Sequence, residues 1–161
     1  MKPFLLIAAL WAGMASAGTA TASETVLGCT AKGGAKEIAV VIDGDTISYS
    51  FGPAGGAPDL QLSEPVATVL HQPWSGVGRA IWEATTFTNA GYAYEVWMSV
   101  ERQEDAVPSG GVAVLQGEAE VARIDCDPGS ARVTLWAVSD AKEAQGICWD
   151  LQTFSWGSCP Q

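Results

Sequence analysis

The chain has 161 residues, 18 acidic against 8 basic side chains, and a formal charge of −10. With 48% apolar and 16% charged residues, its composition is that of a folded domain and excludes disorder. The acidic excess excludes nucleic acid as a partner, because a polyanion would be repelled.

Met1-Lys2 is a short positive start, residues 4–11 (FLLIAALW) form an apolar run, and Ala15-Ser16-Ala17 matches the small-x-small pattern of signal peptidase sites. A signal peptide is therefore expected over residues 1–17, with cleavage before Gly18 and a periplasmic or secreted product. The apolar stretch is short for a bilayer span and no second one follows, so the mature form is expected to lack a membrane span. Residues 18–28, beginning GTATASE, read as a flexible lead-in. Residues 29–161 read as a single disulfide-stapled β domain, since no repeat, linker or composition shift divides them.

Two-residue alternation then dominates. Residues 37–42 (EIAVVI) and 46–51 (TISYSF) predict an antiparallel pair around the turn Asp43-Gly44-Asp45, and 59–63 (DLQLS) a short strand. Residues 80–88 and 92–101 predict a hairpin around a three-residue loop, Asn89-Ala90-Gly91. Its inward face is expected to carry Tyr92, Tyr94, Val96 and Met98, with Trp82 as a core residue. A further hairpin is expected around Gly117. Asp127-Pro128-Gly129-Ser130 reads as a turn. One short helix over 140–145 is expected, capped by Ser139 and stopped by Gly146. A last hairpin pairs 147–150 with 154–156, packing Trp149 on Trp156. The expected fold is all-β and mainly antiparallel: a β-sandwich or a flattened barrel with one short C-terminal helix.

Cys29, Cys126, Cys148 and Cys159 all lie in the mature body, and an even count in an exported chain predicts two disulfides. Three pairings are open. Cys29–Cys126 and Cys148–Cys159 are favoured, the first tying the start of the domain to its far side and the second closing the last hairpin.

No catalytic constellation is legible. His71 is the single histidine, and the stretch around Ser75 lacks the G-x-S-x-G elbow that exposes a nucleophile. His71 and Ser75 therefore read as ordinary loop residues, and Glu83 and Glu95 as cross-strand glutamates on a solvated face. There is no C-x-x-C, and Asp43-Gly44-Asp45 and Asp125-Cys126-Asp127 depart from calcium-loop spacing. No metal and no cofactor are expected.

Recognition is the better-supported role. Trp97 falls on the face opposite Tyr94 and Val96, where an exposed aromatic would anchor a sugar or a protein. In Trp74-Ser75-Gly76-Val77-Gly78-Arg79, two glycines permit close backbone approach, and Ser75 and Arg79 offer a hydroxyl and a guanidinium. With its leader, cysteines and β-rich body, the chain resembles the small exported bacterial β-proteins that inhibit lysozyme through a protruding Ser-Gly loop. Ser75-Gly76 is the matching pair, and Arg79-Ala80-Ile81-Trp82 stands where that family carries a tyrosine. The strings SYSFG, GYAYEVW and ICWD also resemble uncharacterised exported proteins of Gram-negative bacteria, a likeness that implies no activity.

The first of these resemblances implies a non-enzymatic binding domain of the envelope, inhibiting a lysozyme or another basic cell-wall lytic enzyme through the partner-binding loop Trp74, Ser75, Gly76, Gly78 and Arg79. A carbohydrate- or peptidoglycan-binding module built on exposed tryptophans and a structural envelope protein are the alternatives.

Overall fold

The computed structural model describes residues 22–160, so the expected signal peptide lies outside the described residues. Two antiparallel five-stranded sheets pack face to face, with neither closed on itself, which makes the fold a sandwich and not a barrel. In the first sheet, strands β1 (Glu24–Ala31), β2 (Lys36–Asp43), β3 (Thr46–Pro53) and β4 (Leu60–Pro65) follow one another as a meander. In the second, β5 (Leu70–Gln72), β6 (Ala80–Asn89), β7 (Tyr92–Glu101), β8 (Ser109–Gln116) and β9 (Ala119–Asp125) do the same. The chain then returns as β10 (Arg132–Val133) on the free edge of β1, turns through helix α1 (Ala137–Glu143), and ends in the hairpin β11 (Ile147–Asp150) and β12 (Ser155–Ser158).

Alternation explains the layers. Ile38, Val40 and Ile42 of β2, and Ile47 and Tyr49 of β3, point inward against Phe87, Val96, Met98 and Val112 of the other sheet. Tyr49 bridges the layers, with its ring 5.7 Å from Phe87 and 6.0 Å from Tyr94.

Both favoured disulfides are present, Cys29–Cys126 and Cys148–Cys159. The first straps the sheets where the chain crosses between them. There the Cys126 amide donates to Gly110 of β8 and the Asp127 amide to Thr30 of β1. The Asp127 carboxylate accepts from the amides of Gly33 and Gly34, so this aspartate secures a turn.

Four expectations are corrected. The lead-in 18–28 is not flexible throughout: β1 begins at Glu24, and Val26 and Leu27 are core residues. The central hairpin closes on two residues, not three, because Asn89 pairs with Tyr92 and Ala90 and Gly91 both take positive φ (49° and 82°). The helix starts three residues early, at Ala137, and Ser139 lies buried inside it instead of capping it. Trp82 is 41% exposed, since its partner across the hairpin is Ser99, on the face away from Val96 and Met98.

One close approach fixes the outer edge of the second sheet. A Cβ at Gly111 would lie 2.5 Å from the Ile124 carbonyl and 3.1 Å from the Trp97 indole nitrogen. Gly111→Ala is therefore expected to cost about 2 kcal/mol through overpacking, measurable as a lower urea midpoint.

Candidate functional site

The loop between β5 and β6 sits where β6 begins and β7 ends. Pro73 is buried, Trp74 and Ser75 are half-buried, and Gly76, Val77, Gly78 and Arg79 are exposed, Val77 by 71%. Gly76 and Gly78 hold φ values of 88° and 104°, a region that side chains beyond glycine rarely adopt.

The loop is pinned from below. The Trp74 indole N–H donates to the Val77 carbonyl at 2.8 Å, folding the loop over its own tryptophan. Arg102, just past β7, donates from Nη1 to the Gly78 carbonyl at 3.3 Å, and its backbone amide bonds to Arg79 at 2.8 Å. Its guanidinium lies 5.1 Å from the centre of the Trp74 ring, within cation–π range. On the other side Trp74 meets Trp136, at 6.2 Å between centroids. Arg102, Trp74 and Trp136 form a contiguous platform beneath an exposed tip.

Beneath Trp136 lies a carboxylate. Glu83 is fully buried on the inner face of β6, and both its oxygens accept from the Trp136 amide, at 3.1 and 3.3 Å. Burial pushes its pKa up to about 7; the Trp136 hydrogen bond works against that rise, and nearby Asp140 adds to it. No cation pairs with it among the described residues. Trp136 itself stands at φ 71°, a left-handed position unusual for a bulky side chain, as the residue preceding α1. The hydrogen bond to Glu83 ties this strained residue to the sheet.

The structure thus brings Trp74, Ser75, Gly76, Gly78 and Arg79 together on one exposed loop. It separates other expected features. Trp97 is half-buried against Gly111 with its indole nitrogen enclosed, so an exposed anchor there is not what the fold presents. Glu83 and Glu95 do not face each other: their partners are Met98 and Thr86, on opposite faces of the sheet, and Glu83 is not solvated.

His71 is a strand residue, not a loop residue. It is buried on β5, with Nδ1 3.0 Å from the Thr85 hydroxyl. Burial first, and then the Lys142 ammonium, push its pKa down to about 4, with a backbone hydrogen bond involving Ala84 opposing. It is neutral at pH 7, and its hydrogen bond goes to Thr85 rather than Ser75.

Arg102 and Trp136 were not singled out as site residues from sequence, and Glu83 was weighed only as half of a solvated glutamate pair. Extending the hairpin register past Ala80 and Glu101 would have set Arg102 beside Arg79. No local signal joins Trp136 to Trp74, since they meet only after the chain has crossed between sheets. The chain matches no protein-family model, and comparison with curated proteins and with solved structures finds no match.

Proposed function

We propose that this chain is an exported, non-enzymatic recognition domain that seats the loop 74–79 in the acidic cleft of a cell-wall lytic enzyme of the lysozyme class. The observation that carries the reading is the pinned tip. An exposed apolar residue, Val77, lies two positions from Arg79, an exposed arginine without an ion-pair partner among the described residues, on a loop that Arg102 holds from below. A glycosidase cleft is lined by paired carboxylates, and guanidinium groups complement them in planar, two-pronged hydrogen bonds. A loop fixed before encounter loses little freedom on binding, which favours affinity. The chain's charge of −10 would meanwhile speed its approach to a basic enzyme.

Two further features suit an exported recognition domain. His71 and Glu83, the residues a hydrolase would use for proton transfer, are enclosed in the interior. Two disulfides suit an oxidising compartment, and no helix among the described residues is long and apolar enough to cross a membrane.

The test is a turbidity assay of bacterial cell-wall lysis against a panel of lysozyme types. Inhibition at micromolar protein is expected, weakened about 30-fold by Arg79→Ala, the size of a central charged contact. Lack of inhibition across the panel would reject the reading. So would inhibition undiminished in a variant carrying both Ser75→Ala and Arg79→Ala.

A further inference from the structure

The C-terminal hairpin belongs to neither sheet. Two strands of four residues would be marginal alone, yet this pair is fixed firmly. Cys148–Cys159 closes it, Trp149 packs on Trp156 at 5.3 Å, and the Trp156 indole N–H donates to the His71 carbonyl at 2.7 Å. The buried Lys142 ammonium lies 5.2 Å from the Trp156 ring and donates to the Ala67 carbonyl. These contacts hold the hairpin beside β5 and the outer face of β6 and β7. They leave between them a cleft of about 420 Å³, within the range of small-molecule sites.

The lining is amphipathic. Trp149, Trp156 and Phe154 form an aromatic wall, and Leu70 adds an exposed apolar rim. Gln72, Thr86 and Glu95 supply amide, hydroxyl and carboxylate groups along the strands, and Glu95 makes no ion pair among the described residues. Phe154 is the telling residue. It sits in the turn at φ 49°, where glycine or asparagine would be easier, and it is 62% exposed, so neither the turn nor the core calls for a phenylalanine.

We infer that this cleft is a saccharide-binding site, in which a sugar ring lays its C–H face on Phe154 and Trp156 while its hydroxyls bond to Glu95, Gln72 and Thr86. A saccharide is the class that matches both halves of the lining. A purely apolar ligand would leave the carboxylate and amide unpaired. Lys142 also lines the cleft, but its ammonium is taken up by the Ala67 carbonyl and the Trp156 ring, so a small anion would meet Glu95 and leave three aromatic rings unused. The site is separate from the 74–79 loop, none of whose residues line it.

Tryptophan fluorescence of the intact protein, titrated with chitotriose, cellotriose and maltotriose, tests this directly. A saturable change is expected with at least one trisaccharide. Phe154→Ala and Glu95→Gln should each weaken it about tenfold, the worth of one stacking or one charged contact, with unchanged circular dichroism. Arg79→Ala should bind as tightly as the parent, which separates this site from the inhibitory loop. No saturable change with any of the three sugars up to millimolar concentration would overturn the assignment. So would binding that survives both Phe154→Ala and Glu95→Gln.

Discussion

Replacing Cys29 and Cys126 together by alanine is expected to lower the unfolding free energy by about 5 kcal/mol, against about 3 kcal/mol for the Cys148 and Cys159 pair. The difference comes from the unfolded chain. The first bridge joins residues 97 apart in sequence and the second residues 11 apart, so the first removes far more freedom from the denatured ensemble. The first also lies at the crossover, where the Cys126 and Asp127 amides bond to opposite sheets. A loss near 5 kcal/mol is a large part of the stability of a domain this size, and urea titrations of the two double variants, read against the parent, give the comparison. Equal losses would show that the crossover is held by its hydrogen bonds and packing and not by the sulfur bridge.

Glu83→Gln is expected to be close to neutral at pH 4 and to stabilise the fold at pH 8 by up to about 3 kcal/mol. The sign follows from the direction of the shift. Burial raises the folded-state pKa of Glu83 from 4.5 to about 7. Between these values the folded chain holds a proton that the unfolded chain has released. Stability from this group is therefore complete below pH 4.5 and is lost as the pH climbs through 7. Glutamine cannot ionise, and its carbonyl oxygen can still accept from Trp136. His71 acts in the opposite sense. Its folded pKa of about 4 lies below the ordinary 6.5, so its contribution is complete above 6.5 and is lost as the pH falls through 4. In the parent the two slopes offset each other between about pH 4.5 and 6.5, leaving a plateau with a decline on the alkaline side. Glu83→Gln should remove that decline and expose the rise due to His71. An identical pH profile for parent and variant would mean that Glu83 is charged and well solvated in the folded protein.

The sheets were legible because alternation is a local property. The β2–β3 hairpin and the ten-residue strands β6 and β7 follow from period-two patterns with turn residues between them. The disulfide pairing was legible as a preference, because one short separation closes a hairpin. The faces of β6 were harder. Trp82 and Glu83 are adjacent, hydrophobicity alone sends the tryptophan inward, and the hairpin register sends the glutamate there instead. What partly offsets the burial of the carboxylate is the amide of Trp136, 53 residues away in the chain, beyond the reach of any local pattern. The helix boundary failed for the same reason: Ser139 is a good local cap, but tertiary packing starts the helix at Ala137, behind a left-handed Trp136. The loop 74–79 was found from its glycines and arginine, whereas its support by Arg102 and Trp136 is a product of the assembled end of the sandwich.

The proposed recognition through this loop requires that it be fixed before any partner arrives, and backbone ¹⁵N relaxation of the free protein tests that most directly. Order parameters near about 0.85 at Gly76, Val77 and Gly78, equal to those of β6 and β7 and lowered by Arg102→Ala, are expected. Values below about 0.6 in the parent protein, indifferent to Arg102→Ala, would contradict a pinned tip.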